Sequence, residues 1–348
     1  MKLLLISDAW EPQVNGVVRT LRTVLSELQR DGHTIEVVHP GRFKTFPCPT
    51  YPEIRLAPFA GRALARIADE FRPDAVHIAT EGPLGLAGRR HCLKRGWPFT
   101  TSYHTRFPEY IEQRFPFVRA GLIYRGMRWF HGRAARVMVA TESIENDLNR
   151  RRITNTGRWS RGVDIELFRP REPVALGLEG PIFTYVGRVA VEKNIEAFLE
   201  LDLPGSKLVV GDGPARAGLA KRYPEAHFAG AKHGEDLARH YCAGDVFVFP
   251  SRTDTFGLVM LEALACGLPV AAFPVPGPLD VVGGTNVGVL DEDLAQAAQQ
   301  ALALSKSDCR AFAERHSWKA CADLFFRLLE PFGATAAEHP PRAAVEPS

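Results

Sequence analysis

The sequence predicts an α/β protein with two doubly wound, mostly parallel sheets, and three observations lead to this fold class. The chain has 348 residues, which is the length of about two ordinary domains. Short apolar runs alternate with amphipathic segments of helical period along most of the chain, as in repeated strand–helix–strand units. The alternation restarts after a Pro- and Gly-rich break at residues 168–181, so each half of the chain predicts its own sheet.

The first half of the chain, predicted as one domain over residues 1–168, contains repeated strand–helix units. It begins with a strand, an amphipathic helix closed by Gly32, and a second strand: KLLLIS, NGVVRTLRTVLSELQRDG and TIEVVHP. Three further strands follow, each before a helical segment: DAVHIAT, PFTTSYH and RVMVAT. Parallel strands need crossover helices, so we expect a mostly parallel sheet that is covered on both faces.

The second half repeats this organisation and is predicted as a domain over residues 169–316. Five apolar runs indicate its strands: IFTYVG, KLVVGDG, AHFAG, DVFVFPS and PVAAFP. Helical segments lie between them, among them EKNIEAFLEL, EDLARHYCAG and GLVMLEALACG. Residues 317–330 predict a last amphipathic helix, and the Pro- and Ala-rich residues 331–348 predict a disordered tail.

Charge and cysteine usage exclude several classes of protein. The net charge of +3 is too small to indicate a nucleic-acid partner. The six cysteines include no Cys-x-x-Cys pair, which argues against a zinc site or a disulfide framework and suits a reducing cytoplasm. The first apolar run is about five residues, too short for a signal peptide, and no run approaches the roughly 18 residues of a membrane span. We therefore expect a cytoplasmic protein that does not cross the membrane, with peripheral contact to its inner face left open.

Candidate binding residues lie at strand ends, where ligands of open α/β sheets bind. Gly16 opens the first helix, whose N-terminus favours an anion; the alternative is a turn glycine. Arg188 and Lys193 follow the first strand of the second domain and predict an anion site such as a pyrophosphate site. The alternative is two solvated surface cations. His104 ends a strand of the first domain, either as a satisfied polar residue or as a group that reaches a ligand.

Two common nucleotide-binding signatures are absent or incomplete. The sequence has no G-x-x-x-x-G-K-[ST] motif, which argues against a P-loop ATPase. The segment EGPLGLAG follows a predicted strand, but it lacks the first Gly-x-Gly pair of a dinucleotide loop. An α/β oxidoreductase is therefore the weaker alternative.

The stretch PSRTDTFGLVMLEALACGLPV, residues 250–270, carries two acids at the junction of a buried strand and a helix. Asp254 precedes the helix, and Glu262 lies in its second turn. Either Asp254 caps the helix and Glu262 is solvated surface, or both carboxylates face a ligand. In the second case the amides of residues 255–258 hold phosphate and sugar oxygens, and a carboxylate accepts hydrogen bonds from a ribose diol.

Taken together, these residues resemble glycosyltransferase family 4, the retaining nucleotide-sugar glycosyltransferases of the GT-B fold. The family signature of two acids around a Phe-Gly-Leu turn, followed by Glu-Ala-x-Ala-x-Gly-x-Pro-Val, is present from Asp254 to Val270. The Gly-Arg-x4-Lys element is residues 187–193, the Gly-Asp-Gly-Pro loop is residues 211–214, and the domain junction is residues 161–168. The resemblance covers the chain to about residue 330 and implies two Rossmann-like domains facing a cleft. The last helix would cross back to the N-terminal domain.

The resemblance also implies a role for each matching residue. Glu262 would bind the ribose hydroxyls, and three residues would contact the diphosphate: Gly16, Arg188 and Lys193. The donor sugar would be held by His104 and by the first acid with its turn: Asp254, Thr255, Phe256, Gly257 and Leu258. No metal or other cofactor is expected, because cationic side chains and helix ends would stabilise the leaving diphosphate instead.

The first acid of the signature departs from the common family pattern and bears on the expected donor and acceptor. Family members commonly carry Glu at the first acid, whereas Asp254 in the form SRTDTFG resembles bacterial α-mannosyltransferases and glycolipid synthases. The resemblance thus implies transfer of a hexosyl unit of the mannose, glucose or glucuronate class from a GDP- or UDP-sugar. The acceptor would be a lipid or lipid-linked molecule, joined through an α-linkage. Two alternatives stay open: a non-lipid acceptor in polysaccharide synthesis, and a nucleotide-sugar-binding protein without transfer activity.

The segment over residues 106–136 combines cations with aromatic side chains. It carries seven arginines and two glutamates, a net charge of +5. Arginines interleaved with aromatics suit an interface with anionic lipid, and the predicted contacts are Arg119, Arg125, Arg128 and Trp129. The alternative is an ordinary amphipathic helix whose aromatic face is core and whose arginines are solvated.

Overall fold

A computed structural model describes residues 1–13, 16–48, 51–104, 120–254 and 256–332, apart from the side chains at positions 51–54, 120, 122 and 192. Two predicted site residues, Thr255 and Arg119, therefore lie outside the described residues. The chain divides into two compact units, Met1–Ser160 with the chain from Cys321 on, and Arg161–Ala320. Each unit is built around its own parallel sheet.

The first unit contains eight described strands, six of which form its parallel sheet. They are β1 Lys2–Ile6, β2 Thr34–Val38, β3 Phe46–Cys48, β4 Tyr51–Leu56, β5 Ala75–Ile78, β6 Thr100–Tyr103, β7 Arg136–Val139 and β8 Thr156–Arg158. The sheet order is β2–β1–β5–β6–β7–β8, while β3 and β4 form a separate antiparallel pair. The strand order reverses between β1 and β5, which is where doubly wound sheets open a crevice for ligands.

The helices of the first unit connect these strands. They are α1 Gly16–Arg30, α2 Gly61–Phe71, α3 Pro83–Arg95, α4 Ala120–His131 and α5 Glu142–Arg150, with a 3₁₀ turn at Pro40–Arg42. In α1 the apolar residues recur at helical spacing and are buried: Val18, Leu21, Val24, Leu25 and Leu28. All four apolar residues of β1 from Leu3 to Ile6 are buried, as expected for a strand covered on both faces. Gly32, with φ 81°, follows the end of α1 as predicted.

The second unit repeats the arrangement. Its strands are β9 Ile182–Val186, β10 Ser206–Val210, β11 His227–Gly230, β12 Val246–Phe249, β13 Val270–Ala272 and β14 Gly288–Leu290. Its helices are α6 Glu196–Leu199, α7 Arg216–Arg222, α8 Gly234–Cys242, α9 Leu258–Ala265, α10 Pro276–Val282, α11 Leu294–Ala301 and α12 Lys306–Arg315. The sheet order is β11–β10–β9–β12–β13–β14, so the reversal lies between β9 and β12.

A last helix, α13 at Trp318–Leu328, runs from the second unit into the first. The indole N–H of Trp159 donates to the carbonyl of Cys321 over 3.2 Å. The Phe325 ring lies edge-on to the imidazole of His77, and Phe326 stacks on His33. These contacts confirm the predicted crossing of the last helix back to the N-terminal domain. The described chain continues to Phe332, whose ring stacks on Trp97.

One predicted helix is much shorter than its sequence pattern indicated. The segment EKNIEAFLEL contains a 3₁₀ turn at Val191–Lys193 and then only the single turn of α6. Asn194 between them is left-handed, with φ 53°, a conformation that Asn tolerates better than most residues. Its side-chain amide donates to the carbonyl of Pro250 over 3.0 Å. Asn194 thereby joins the segment after β9 to the end of β12.

Candidate functional site

The strand reversal of the second unit brings together the two segments that carry its predicted site residues. Arg188 and Lys193 follow β9, and the segment of Asp254 follows β12. Lys193 Nζ lies 2.5 Å from Asp254 Oδ1, and both side chains are partly exposed. Sequence reasoning gave these two residues separate roles, at the diphosphate and at the donor sugar. The two side chains form an ion pair, and their separate roles stay predictions.

Asp254 does not cap the following helix. The residue before α9 is Gly257, which is left-handed with φ 75°, and no side chain caps this helix. A Cβ at Gly257 would lie 2.9 Å from both Phe249 Cζ and Met260 Cε, so packing as well as backbone conformation requires glycine here. Since its N-cap residue is a glycine, the N-terminus of α9 has amide groups that this residue leaves available for anionic or hydroxyl oxygens.

Glu262 is buried and not part of the solvated surface. It is 7% exposed and lies within a helix whose residues from Met260 to Ala265 are all buried. The phenol of Tyr241, itself fully buried, donates to Glu262 Oε2 over 3.0 Å. Burying a carboxylate is costly unless hydrogen bonds compensate it, and the Tyr241 phenol supplies one such hydrogen bond. The sequence pattern found Glu262 but missed Tyr241.

The loops at the carboxyl edge of β9 and β10 are packed backbone against backbone. A Cβ at Gly211 would lie 1.9 Å from the carbonyl oxygen of Gly187, and a Cβ at Gly213 would lie 2.3 Å from that of Val189. The hydroxyl of Tyr185 donates to the carbonyl of Arg188 over 2.8 Å. These contacts fix the turn that presents Arg188, whose side chain is exposed. The glycines of the Gly-Asp-Gly-Pro loop are thus needed for this close approach.

The first unit has its own cluster of polar residues at its strand reversal, which sequence reasoning missed. Asp8 follows β1 and accepts hydrogen bonds from the amides of Leu84 and Gly85, at 2.9 and 3.2 Å, and from the Thr80 hydroxyl at 2.9 Å. Burial raises the pKa of Asp8 above its ordinary value, although these hydrogen bonds oppose the shift. The N-terminus of α3 is therefore already filled by a carboxylate of the chain itself.

This arrangement explains the glycine-rich segment EGPLGLAG. A Cβ at Gly82 would lie 2.4 Å from Asp8 Cγ, and one at Gly88 would lie 2.5 Å from Ile6 Cδ1. The glycines serve packing between α3 and β1, and a pyrophosphate at this helix end would displace the Asp8 cap. The segment that had suggested a dinucleotide loop is therefore explained by packing and by the Asp8 hydrogen bonds.

The two residues of the first unit that were predicted to contact the donor lie at a helix start and a strand end. His104 follows β6, and its ring is tilted against the indole of Trp159 at 5.9 Å. Gly16 begins α1, and a Cβ there would meet no atom of the described residues within 4 Å. The predicted contacts of Gly16 with phosphate and of His104 with the donor sugar stay predictions.

The described part of the cationic segment, from residue 120 on, has a buried aromatic face and an exposed cationic face. On α4, Tyr124, Met127 and Phe130 are buried in the core of the first unit. Its opposite face exposes Arg125 and Arg128 together with Trp129, which is 59% exposed. The Arg89 guanidinium of α3 lies 3.9 Å from the Trp129 ring centroid and donates to the carbonyls of Trp129 and Phe130. The exposed indole is therefore held in place.

A profile of Glycosyltransferase Family 4 matches residues 14–167, and one of Glycosyl transferases group 1 matches residues 180–307. The GDP-mannose-dependent alpha-mannosyltransferase of Mycobacterium tuberculosis is 31% identical over 83% of each chain. The chain belongs to glycosyltransferase family 4. Its fold is GT-B, and the predicted resemblance is confirmed. The protein is a hexosyltransferase.

This family 4 enzyme is also similar to a further curated protein and to a solved structure. The alpha-monoglucosyldiacylglycerol synthase of Streptococcus pneumoniae is 27% identical over 87% of this chain and 78% of its own length. Among solved structures, sucrose-phosphate synthase from Thermosynechococcus elongatus has a TM-score of 0.68 and 24% identity, covering 94% of this chain and 98% of that chain. The second likeness concerns the fold alone. In the described part of this chain, no helix has both the length and the apolar character needed to cross a bilayer.

Proposed function

We propose that this glycosyltransferase moves a hexosyl unit of the mannose, glucose or glucuronate class from a GDP- or UDP-sugar to a lipid or lipid-linked acceptor, with retention and an α-linkage. One observation carries the donor side of this proposal. The segments that follow β9 and β12, at the strand reversal, carry a cation, two carboxylates and a helix N-terminus that begins at a glycine. These groups suit the three parts of a nucleotide-sugar donor: the cation suits the diphosphate, and the carboxylates suit the hydroxyls of the ribose and the sugar.

Each of these groups has a defined task in the proposal. Glu262, with Oε2 oriented by Tyr241, accepts hydrogen bonds from the ribose hydroxyls. Lys193 and Arg188 stabilise the negative charge that develops on the diphosphate as the glycosidic bond breaks. Asp254 exchanges its contact with Lys193 for hydroxyls of the donor sugar, beside the amides at the start of α9. His104 and Gly16 contribute from the first unit, to the sugar and the phosphates respectively.

The proposed reaction needs no covalent enzyme intermediate and no metal. The acceptor hydroxyl attacks the anomeric carbon on the face that the diphosphate leaves, and the departing phosphate oxygen takes the hydroxyl proton. A new C–O bond replaces the broken one, so an α-configured donor gives an α-linked product. Retaining enzymes with a carboxylate nucleophile follow a different course, and the carboxylate of Glu262 is instead held by a buried tyrosine.

The lipid acceptor is supported by the surface formed by α3 and α4. Neither helix contains an acidic residue. Exposed apolar and cationic side chains alternate on the surface: Leu86, Arg90, Leu93 and Lys94 from α3, and Arg125, Arg128 and Trp129 from α4. A cationic surface with apolar anchors suits the anionic lipid headgroups of a membrane. A relative named as a glycolipid synthase is consistent with this acceptor class.

A donor and acceptor panel tests the proposal. The protein is incubated with UDP- and GDP-hexoses and a lipid extract, and the release of nucleoside diphosphate is measured. The products are then identified by mass spectrometry and NMR. We expect one donor to give acceptor-dependent diphosphate release and an α-linked glycolipid, with Glu262→Ala as the inactive control. A β-linked product would refute retention. Transfer to soluble saccharides but not to lipid would favour the alternative of polysaccharide synthesis.

A further inference from the structure

A fully buried histidine contacts a partly exposed glutamate at the strand reversal of the first unit. The side chain of His131, the last residue of α4, is 0% exposed, whereas that of Glu81, between β5 and α3, is 33% exposed. His131 Nε2 lies 3.2 Å from Glu81 Oε1, and His131 Nδ1 lies 2.9 Å from the Thr101 hydroxyl. An ionised carboxylate can only accept hydrogen bonds, so Nε2 donates to Glu81. A chain of contacts thus runs from β6 through His131 to the carboxylate.

The histidine is itself fixed at the end of α4. The side-chain amide of Asn155 donates to the carbonyl of His131 over 3.2 Å, and Arg89 Nε donates to the carbonyl of Phe130 over 3.1 Å. The imidazole also lies edge-on to the Phe130 ring, with 5.0 Å between the ring centroids. Because its backbone and its ring are both held, His131 fixes the position of Glu81 Oε1.

Another buried histidine of the same unit shows that an imidazole here can be satisfied without a carboxylate. The ring nitrogens of His77 lie 2.8 Å from the Thr100 hydroxyl and 2.9 Å from the Ser102 hydroxyl, and both of these residues are buried. Hydroxyl groups satisfy a buried ring without the cost of removing a charge from water. The carboxylate of Glu81 is therefore more than the His131 ring requires.

Glu81 and Asp8 both lie at this edge of the sheet, and they differ in the oxygens that they have available. Both oxygens of Asp8 accept hydrogen bonds from the start of α3, through the amides of Leu84 and Gly85. Glu81 Oε1 accepts from His131. Within the described residues, Glu81 has no other hydrogen-bond or ion-pair partner. Glu81 Oε2 is therefore the carboxylate oxygen at this strand reversal that can accept from a ligand.

The charge at this edge of the sheet selects among ligands. Burial raises the pKa of Asp8, and the neighbouring charge of Glu81 raises it further, so the two acids are close enough to interact. A phosphate bound here would meet like charge. Hydroxyl groups, in contrast, donate to a carboxylate without bringing negative charge. The crevice where doubly wound sheets bind ligands thus favours an uncharged, hydroxyl-bearing group in this unit.

We propose that Glu81 binds the acceptor through a hydroxyl group and that His131 is the positioning residue of this contact. The part of the acceptor that reaches Glu81 is an uncharged polyol, such as a saccharide or glycerol head, and not a phosphate. The hydrogen bond to Oε2 orients the acceptor and removes no proton from it. This inference rests on the proposed function in one respect, namely that the enzyme glycosylates a hydroxyl compound.

Carboxylate labelling with a carbodiimide and glycine ethyl ester, read by peptide mapping, tests the site without donor or turnover. The probes share one alkyl chain and are used below their micelle concentrations: octyl glucoside, octyl sulfate and octyltrimethylammonium. We expect octyl glucoside to protect Glu81 and the two charged probes to protect it much less. Glu70, an exposed acid on α2, should be labelled equally throughout. Protection by octyl glucoside that is no better than protection by the charged probes would overturn the inference.

The kinetics of transfer to octyl glucoside give a second measurement. Glu81→Gln keeps the size of the side chain and can still accept from His131, but it weakens a hydrogen bond to a charged group. The acceptor KM should therefore rise roughly ten-fold or more, while the donor KM and the hydrolysis of donor without acceptor stay unchanged. Glu70→Gln is the matched control. An unchanged acceptor KM in folded Glu81→Gln would contradict the inference.

Two histidine variants test the positioning role. His131→Gln keeps an N–H donor for Glu81, so it should raise the acceptor KM less than His131→Ala does. Equal acceptor KM values in the two folded variants would remove this role from His131, and Glu81→Gln decides the acceptor contact if either variant fails to fold. Absence of transfer by the wild type would contradict the proposed function instead, and the labelling result would then decide the site alone.

Discussion

The hydroxyl of Tyr241 donates a hydrogen bond to Oε2 of Glu262, and both residues are buried between α8 and α9. A carboxylate in this position has little water to solvate it, so its charge depends on the groups that surround it. The phenol therefore does two things at once. It compensates the buried carboxylate, and it fixes the direction in which that carboxylate accepts further hydrogen bonds. We regard Tyr241 as the positioning residue of the proposed ribose contact.

Removing the phenol hydroxyl should weaken donor binding more than it weakens the chemical step. Tyr241→Phe leaves the ring packing intact but deprives a buried carboxylate of its donor, which costs about 1–3 kcal/mol. We expect the donor KM to rise about ten-fold, with kcat changed much less, and the melting temperature to fall by a few degrees. Steady-state kinetics over a range of donor concentrations separate the two parameters.

Glu262→Ala and Glu262→Gln are the matched comparison. The alanine variant should abolish turnover while circular dichroism shows an unchanged fold. The glutamine variant keeps the size and loses the charge, so residual activity in it measures what the charge contributes. Wild-type activity of Glu262→Ala would show that the acid has no role at the donor.

The ion pair between Lys193 and Asp254 predicts strongly coupled substitutions. Lys193→Gln removes a cation from the developing diphosphate charge, and loss of one such electrostatic contact lowers kcat by roughly 100-fold or more. Asp254→Asn leaves the Lys193 cation in place but removes a carboxylate that is proposed to bind the donor sugar. The effect of Asp254→Asn should therefore fall on recognition of the donor sugar. In a double-mutant cycle on kcat/KM, the loss in the double variant should exceed the sum of the two single losses, because each single change already removes the cost of breaking the pair when the donor binds.

Lys306→Gln provides a control for the loss of a lysine ion pair in the same unit. Lys306 Nζ pairs with Asp245 Oδ1 at 3.1 Å, but on an exposed surface, where such pairs contribute at most about 1 kcal/mol. It should leave kcat/KM unchanged. Full additivity of the Lys193 and Asp254 losses would mean that the contact has no part in donor binding.

The sequence predicted the fold far better than it predicted the pairing of side chains. The apolar runs located the strands, and Gly32 located the end of a helix, because these features depend on local pattern and backbone conformation. The partnerships of Lys193 with Asp254, and of Asp8 with α3, join residues 61 and more than 70 positions apart. These partnerships follow from the order of the strands in each sheet, and the hydrophobic periodicity of the sequence does not predict that order. The segment EKNIEAFLEL does not form one continuous helix, because Asn194 adopts a left-handed backbone conformation that interrupts the helical hydrogen bonding.

Buried His77 predicts a loss of stability in acid. Its Nδ1 lies 2.8 Å from the Thr100 hydroxyl and its Nε2 lies 2.9 Å from the Ser102 hydroxyl, and complete burial lowers its pKa to about 3. In the unfolded chain this histidine titrates near 6.5. As the pH falls below that value, the histidine of the unfolded chain becomes protonated, whereas buried His77 in the folded protein stays neutral. The stability from His77 is therefore complete above about pH 6.5 and is lost progressively towards pH 3.

Urea unfolding between pH 7 and pH 4.5 measures this effect. One pH unit corresponds to about 1.4 kcal/mol for a single linked proton, so the wild type should lose about 2–3 kcal/mol from this source. His77→Gln should be less stable at pH 7 but should have a flatter pH dependence. His233→Gln, which changes an exposed histidine of the second unit, is the matched control. Parallel pH profiles for the wild type and His77→Gln would contradict the assignment.

The α3–α4 surface predicts binding to anionic vesicles that depends on both charge and the exposed indole. Arg125→Glu with Arg128→Glu reverses two charges on the exposed face of α4, and each basic residue near an anionic membrane contributes about 1 kcal/mol. Binding to vesicles containing phosphatidylglycerol should therefore fall by at least about 30-fold and should weaken with salt in the wild type. Lys221→Glu, on the exposed face of α7, should bind as the wild type does.

Trp129→Ala separates the apolar contribution from the cationic one. Arg89 holds the indole at the surface through its guanidinium and through the two carbonyls that end α4, so the ring is already oriented before it meets a lipid. Its loss should weaken vesicle binding at high salt as much as at low salt, because it removes apolar contact and no charge. Activity on a soluble acceptor analogue should stay intact. Vesicle binding unchanged in both the arginine and tryptophan variants would mean that the acceptor reaches the enzyme without this surface.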